Sequence, residues 1–157
     1  MANETTGPTL PPVGALLHLP AALVRREVLT DLREAGFEDI LPAHLGVFQH
    51  PGPDGQQPGV LARRTRASKQ AMNHLLHQLE TKGYLTRAQQ PDSTAHDHRS
   101  HIVRLTDRGW AASAAIRLTT ARLDRDWRRA VGEDAYADLA QGLERLQEVI
   151  DSEAPCR

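Results

Sequence analysis

The sequence predicts a mainly α-helical protein with one small β-hairpin in its second half. Along most of the 157 residues, apolar side chains recur every three or four positions, which is the spacing of an amphipathic helix. Two short extended runs, 84–87 and 100–105, flank a polar loop and predict two paired strands. The length suits one domain, so we expect a single domain over 13–157 behind a flexible tail at 1–12.

The first helical region is predicted in two pieces. Residues 13–19 form a helical turn, and Pro20 suits the first turn of a separate helix, because a proline there leaves no N–H unpaired. That helix covers 21–35 and ends at Gly36. Its apolar face is formed by Leu23, Val24, Val28, Leu29 and Leu32.

A second helix is predicted to begin at Ile40-Leu41-Pro42. It would bury Leu45 and Phe48, with Val47 beside them. The run 50–55 that follows is rich in Pro and Gly and is therefore a loop.

Two helices joined by a short turn are predicted between residues 59 and 83. The first covers 59–66, and the turn contains Arg66 and Ala67. Ser68 suits the N-cap of the second helix, since its hydroxyl can accept from free backbone N–H groups, and Gly83 suits the stop. The second helix has an apolar stripe at Met72, Leu75, Leu76 and Leu79.

The opposite face of this second helix is polar and carries hydrogen-bond donors. It consists of Lys69, Gln70, Asn73, His74 and His77. Such side chains suit DNA phosphates and base edges, and the face carries no acid before Glu80. A helix-turn-helix followed by a hairpin, the wing, is a winged helix-turn-helix, which we assign to 58–105.

Charge is concentrated on this same segment. The whole chain has a net charge of −1, but residues 59–104 contain eight Lys/Arg and three Asp/Glu. The segments on either side are net negative. A cationic surface confined to the helix-turn-helix and wing favours a polyanionic partner.

Several motifs of this segment resemble the MarR family of transcription regulators. The similarity covers Leu61-Ala62, Ser68 and the run 79–87. The family's wing carries Asp-x-Arg, a strand and then Leu-Thr-x-x-Gly, which this chain matches at Asp97, Arg99, Leu105, Thr106 and Gly109. The similarity of the core covers roughly a third of the chain, and the wing tip, 88–96, is about two or three residues longer than usual.

The candidate DNA-binding residues follow from the charged face, together with this resemblance. They are Arg63, Arg64, Arg66, Ser68, Lys69, Gln70, Asn73, His74, Arg87, Asp97 and Arg99. The resemblance gives Arg99 a minor-groove or phosphate contact, and Asp97 would orient Arg87 or Arg99 rather than touch DNA. The alternative for the helix face is an ordinary solvated surface, and for Asp97 and Arg99 a plain ion pair that stabilises the hairpin.

The C-terminal part, 106–153, predicts two more helices. Thr106 caps the first, Gly109 lies in its first turns, and Val131-Gly132 breaks it. The last helix, 133–152, has an apolar stripe at Leu139, Leu143, Leu146 and Ile150. These stripes exceed what one small chain can bury, so 13–50 and 106–153 are expected to form the helical dimerisation part. The pairing of the chain termini in that dimer is implied by the family.

The sequence therefore indicates a cytoplasmic, sequence-specific DNA-binding regulator, a homodimeric repressor of a near-palindromic operator that responds to a small-molecule effector. The resemblance implies a ligand site between the dimer helices and the DNA-binding lobe, with His44 and Phe48 as candidates, although a core histidine is the simpler interpretation of His44. We expect no cofactor, no metal, no membrane partner and no enzymatic activity, since no catalytic motif is recognisable. One alternative is a protein-interaction module without DNA binding. Another is a metal- or redox-responsive regulator that uses His96, His98 or Cys156.

Overall fold

The computed structural model describes residues 11–49, 55–89 and 101–152, and within these ranges it contains six α-helices and one two-stranded sheet. The mainly α prediction with a small β-hairpin is therefore confirmed. The helices are α1 Val13–Glu34, α2 Leu45–Phe48, α3 Pro58–Arg64, α4 Lys69–Thr81, α5 Asp107–Val131 and α6 Glu133–Ser152. The strands are β1 Leu85–Gln89 and β2 His101–Leu105, which pair antiparallel.

The chain divides into two compact units, Met1–Arg117 and Leu118–Arg157. The first contains α1 to α4, the sheet and the beginning of α5; the second contains the rest of α5 and α6. Of the described residues, none belongs to a helix long and apolar enough to cross a lipid bilayer.

The prediction of two separate pieces around Pro20 is wrong, because α1 continues through this residue. Proline removes one intrahelical N–H donor, but the Pro20 side chain is exposed, and the helix-favouring Ala21 and Ala22 follow it. The predicted stop at Gly36 is confirmed: its φ is 85°, and Phe37 N donates to Leu32 O at 2.8 Å.

The second predicted helix is short. A 3₁₀ turn, Pro42–His44, leads directly into α2. Phe48 is buried as expected, and Val47 is buried as well, whereas Leu45 is only half-buried. The first unit has one apolar core, to which α1 to α5 and both strands contribute. Tyr84, fully buried, packs against two rings in this core, with centroids 6.2 Å from Phe37 and 5.9 Å from Phe48.

The N-terminus of α5 lies very close to the backbone that follows α4. Thr106 N donates to Tyr84 O at 3.0 Å, and the Thr106 hydroxyl donates to Gly83 O at 2.6 Å. The same hydroxyl accepts from Gly109 N at 3.2 Å, so the predicted cap is confirmed. A Cβ atom on Gly109 would lie 2.0 Å from Tyr84 O, so this close approach requires glycine.

A cluster around Tyr84 joins four parts of the first unit. Its hydroxyl donates to the Asp39 carboxylate at 2.5 Å and accepts from Arg108 at 3.0 Å, while Lys82 donates to Asp39 O at 2.5 Å. Burial pushes the pKa of the Asp39 carboxyl upward, but the Tyr84 hydrogen bond and the nearby cations outweigh this, and the pKa lies below its usual value. The cluster therefore fixes the C-terminal end of α4 against the loop that follows α1.

The second unit has polar contacts between its two helical segments. The Tyr136 hydroxyl donates to the Asp124 carboxylate, and Arg128 contacts Asp124 at 2.9 Å and Glu133 at 2.5 Å. The hydrogen bond from Tyr136, which is the largest cause, and that from Arg128 lower the pKa of Asp124. The predicted break is confirmed at Gly132, whose φ is 91°. Helix α6 has no buried residue: Leu139, Leu146 and Ile150 of its apolar stripe are exposed, and Leu143 is half-buried.

Candidate nucleic-acid interface

The turn between α3 and α4 is built around a residue in the left-handed conformation. Helix α3 ends at Arg64, two residues earlier than predicted, because Arg66 has a φ of 54°. Ala67 N donates to Ala62 O at 3.0 Å, which closes the end of α3 in the way a glycine usually does. A non-glycine residue in this conformation costs about 1 kcal/mol, so the compact turn is formed against local preference.

Helix α4 begins and ends where the sequence predicts. The Ser68 side chain accepts from Ala71 N at 3.1 Å, which makes Ser68 the N-cap. Gly83, with a φ of 75°, follows the last turn, and Tyr84 N donates to Leu79 O at 2.9 Å. Met72, Leu76 and Leu79 are buried, so one face of α4 is anchored in the core.

The polar face of α4 is exposed, together with the cations around the turn. The exposed candidates are Arg63, Arg64, Arg66, Ser68, Lys69, Gln70, Asn73 and His74. The division of α4 into an anchored apolar face and an exposed polar face is therefore confirmed. Contact of these side chains with DNA remains a prediction.

The charged residues of the described helix-turn-helix and wing are almost all positive. Residues 55–89 and 101–105 contain seven Lys/Arg and one acid, Glu80. That acid forms an ion pair with Arg87, at 3.3 Å from Nε to the carboxylate. The exposed face of the helix-turn-helix thus carries a positive field, which is the electrostatic requirement for binding a phosphate backbone.

Arg87 joins the wing to α4. Its guanidinium Nη2 donates to Asn73 O at 3.1 Å, and the side chain is only 24% exposed. Its Nε lies close to Glu80 but has no hydrogen-bond partner of good geometry. The bond uses the Asn73 backbone carbonyl, and the Asn73 side chain is exposed. Asp97 and Arg99, the other wing candidates, lie outside the described residues.

A third segment joins the wing. Gln56 pairs with Val103 of β2 through two backbone hydrogen bonds of 2.9 and 2.8 Å. Gly55, with a φ of 89°, allows this approach, because a Cβ there would lie 2.1 Å from Ile102 Cγ2. We did not predict this pairing, since a single bridging residue has no periodic pattern.

The two ligand-site candidates lie in the core. His44 is fully buried and Phe48 nearly so. His44 Nδ1 accepts from Leu41 N at 3.1 Å, and Nε2 lies 2.9 Å from Gln78 Oε1. Burial lowers the pKa of His44, because the charged imidazole is poorly solvated there. Effector contact with either residue remains a prediction and would require the core to open.

Gln78 is a site residue that the sequence reasoning missed. It lies on α4 between buried His44 and exposed His74, whose Nε2 is 2.9 Å from Gln78 Nε2. The only available signal was a glutamine four residues after a histidine on a helix, which is too common to select.

Metal ligands are not clustered in the part of the chain that the structure describes, where no three His, Cys, Asp or Glu side chains lie together. His96, His98 and Cys156, on which the metal and redox alternatives depend, lie outside that part.

No protein-family model and no curated protein matches this sequence. Solved structures do match it over most of their length. The transcriptional regulator PA3341 has a TM-score of 0.68 at 22% identity and covers 90% of this chain and 100% of its own. The apo form of Escherichia coli MarR has a TM-score of 0.65 at 22% identity, with coverage of 88% and 98%.

A third similar structure is the Mycobacterium tuberculosis MarR family protein Rv2887 in complex with salicylic acid. Its TM-score is 0.56 at 28% identity, and it covers 87% of this chain and 97% of its own. This chain therefore has the winged helix-turn-helix fold of the MarR-family transcriptional regulators.

Proposed function

We propose that the protein is a homodimeric, sequence-specific DNA-binding transcription regulator of the MarR type. The observation that supports this most is the exposed polar face of α4, anchored through Met72, Leu76 and Leu79 and set in a strongly cationic segment. A helix held by one face and exposed on the other fits the major groove of B-DNA.

The proposed contacts divide into two kinds. Gln70 and Asn73 lie one turn apart on α4, and amide side chains can pair with the N6 and N7 edge of adenine, so these two residues would read bases. Arg63, Arg64 and Lys69 would bind phosphates, which sets orientation and affinity without reading sequence. The wing, including Arg99, would bind beside the recognition helix.

The dimer is proposed from apolar surface that the single chain leaves exposed. The exposed fraction is 52% for Leu16 and 76% for Leu19 on α1, and 53% for Leu139 and 52% for Val149 on α6. Monomeric soluble proteins rarely leave so many large apolar side chains uncovered on two helices. A second copy would cover them and would present two α4 helices to the two halves of a near-palindrome.

We also propose that a small-molecule effector regulates DNA binding. A dimer must meet both half-sites at once, so a ligand that changes the spacing of its lobes would weaken the complex. Bound over a promoter, such a dimer would repress transcription. Since the similar Rv2887 was crystallised with salicylic acid, salicylate is a reasonable first probe.

The test is selection of bound duplexes from a random library by the full-length protein, followed by affinity measurements at several salt concentrations. We expect a near-palindromic sequence and a steep loss of affinity with salt. Arg64→Ala should reduce the salt slope by about two per bound dimer, since each of the two lobes loses one phosphate contact. Arg25→Ala removes an equally exposed arginine from α1 and should leave the slope unchanged.

Asn73→Ala should change the base preference, by about 1–3 kcal/mol at one position of each half-site. A wild-type protein that is monomeric by light scattering, that selects no sequence, or that binds DNA without salt dependence would refute the proposal. It would then favour a winged helix used for protein interaction alone.

A further inference from the structure

A row of hydrogen bonds runs from the core of the first unit to the exposed face of α4. It begins at Leu41 N, which donates to His44 Nδ1 at 3.1 Å. His44 Nε2 and Gln78 Oε1 are 2.9 Å apart, and Gln78 Nε2 and His74 Nε2 are also 2.9 Å apart. His44 is fully buried, whereas His74 is exposed among the proposed DNA contacts.

The direction of each bond in this row is fixed by its first member. A backbone N–H can only donate, so His44 Nδ1 must accept and carries no proton. Because burial disfavours the charged imidazole, the single ring proton of His44 is on Nε2 and is donated to Gln78 Oε1. The Gln78 amide is thereby oriented, and its NH₂ group donates to His74 Nε2.

This orientation determines what His74 can offer to a ligand. A ring nitrogen that accepts a hydrogen bond carries no proton, so the neutral ring of His74 must carry its proton on Nδ1. Reversing the row would leave the Leu41 N–H facing a protonated nitrogen. A half-satisfied buried network is costly, so the reversed arrangement is disfavoured.

We infer that His44 and Gln78 are positioning residues for DNA recognition, which hold His74 with Nδ1–H as a donor for an acceptor atom on the duplex. The inference rests on the proposed function, because it assigns a role within that DNA contact. The acceptor is either a phosphate oxygen or an acceptor on a base edge. Neither His44 nor Gln78 needs to touch DNA for this role.

The first arm of the test measures tautomers without DNA. In the full-length protein with ¹⁵N-labelled histidine, long-range ¹H–¹⁵N correlation at about pH 8 distinguishes a proton on Nδ1 from one on Nε2. We expect Nε2–H for His44 and Nδ1–H for His74. An Nε2–H form of His74 in the wild type would overturn the inference, and this measurement requires no variant.

Gln78→Glu separates the two bonds of the row. A carboxylate still accepts from His44 Nε2–H but cannot donate to His74, so His74 should lose its Nδ1–H preference while His44 keeps its tautomer. Thr81→Glu is the matched control, because it adds the same charge to an exposed position of α4 outside the row. His74 should keep its tautomer in that variant, and loss in both variants would count against the row.

The second arm uses duplexes selected from a random library by the wild type, Gln78→Glu, Thr81→Glu and His74→Ala proteins. Each of the two lobes loses one donated hydrogen bond, so binding of the dimer should weaken about five- to a hundredfold. If His74 contacts a base, Gln78→Glu and His74→Ala should both reduce the base preference at the same position of the selected sequence. Thr81→Glu should instead weaken binding to all duplexes about equally. If His74 contacts a phosphate, His74→Ala should weaken binding to all duplexes about equally. In that case Gln78→Glu should also weaken binding to all of them, and by more than Thr81→Glu does.

The two arms distinguish the two possible failures. If the wild type selects no sequence, the proposed function fails whatever the tautomers are. If it selects a sequence, but His74→Ala selects the same one with unchanged affinity, the inference fails and the proposed function stands.

Discussion

The close approach of α5 to the backbone after α4 predicts a strong effect of one added methyl group. In Gly109→Ala, the new Cβ would lie 2.0 Å from Tyr84 O and 3.1 Å from Leu105 Cβ. The distance from the new Cβ to Tyr84 O must grow by about 1 Å. Tyr84 O is a backbone atom that already accepts a hydrogen bond from Thr106 N at 3.0 Å, so it is not free to move away. Neither neighbour is the free end of a flexible side chain, so the helix itself must shift.

The magnitude follows from two opposing effects. Replacing a helical glycine by alanine favours the helix by up to about 1 kcal/mol. Forcing an extra carbon into a packed contact costs about 1–3 kcal/mol, and here the contact is with backbone, so the cost should lie at the upper end. We therefore expect Gly109→Ala to lower the free energy of unfolding by about 2–3 kcal/mol after both effects are combined.

Gly59→Ala provides the matched control. Gly59 also lies in the first turn of a helix, α3, and a Cβ there would meet no atom within 4 Å. It should be neutral or stabilising. Urea unfolding of both variants at one protein concentration measures the difference, and equal stability of the two would refute the argument from close approach.

Two further predictions concern the cap of α4 and the Tyr84 cluster. Ser68→Ala removes the hydroxyl that accepts from Ala71 N, so it should lower the free energy of unfolding by about 1 kcal/mol. Urea unfolding measures this loss. Ser68→Asp can still cap the helix and should retain most of the stability. Tyr84→Phe removes the hydroxyl bonded to Asp39 and should cost about 1–2 kcal/mol near pH 7, less than for a fully buried pair because the Asp39 side chain is 39% exposed. The pKa of Asp39 lies below its usual 3.8, so the stability from its bond with Tyr84 is fully present above pH 3.8. This stability is lost as the pH falls through the folded-state pKa. A cost of Tyr84→Phe that persisted unchanged in acid would contradict the role of the Asp39 carboxylate.

Local signals explain why much of the fold was predictable. Ser68 caps α4, and Gly36, Gly83 and Gly132 each end a helix with a positive φ, because these residue types satisfy backbone groups within a few positions of themselves. The anchored and exposed faces of α4 follow from its spacing alone. Exposure of the polar candidates on α4, which are Lys69, Gln70, Asn73 and His74, followed from the same pattern.

Non-local contacts explain most of what the sequence did not reveal. His44 and Gln78 are 34 residues apart, and the partner of Gln56 lies on the far strand of the wing, so neither pairing produces a repeat. Pro20 shows the opposite error, since a local breaker was given more weight than the cooperativity of a 22-residue helix. The early end of α3 was also not predictable from the sequence, because an arginine rarely adopts the left-handed conformation that Arg66 has.

The bond from Arg87 to the Asn73 carbonyl has a mechanical consequence. It ties β1 to the middle of α4, and the shared core ties both to the rest of the first unit. A load applied to the hairpin by a bent or widened duplex would therefore pass into the helix that carries Gln70 and Asn73, instead of being absorbed by a loose loop. In the proposed complex, the stiffness of DNA outside the base pairs that Gln70 and Asn73 contact would therefore alter how well these two side chains fit those base pairs.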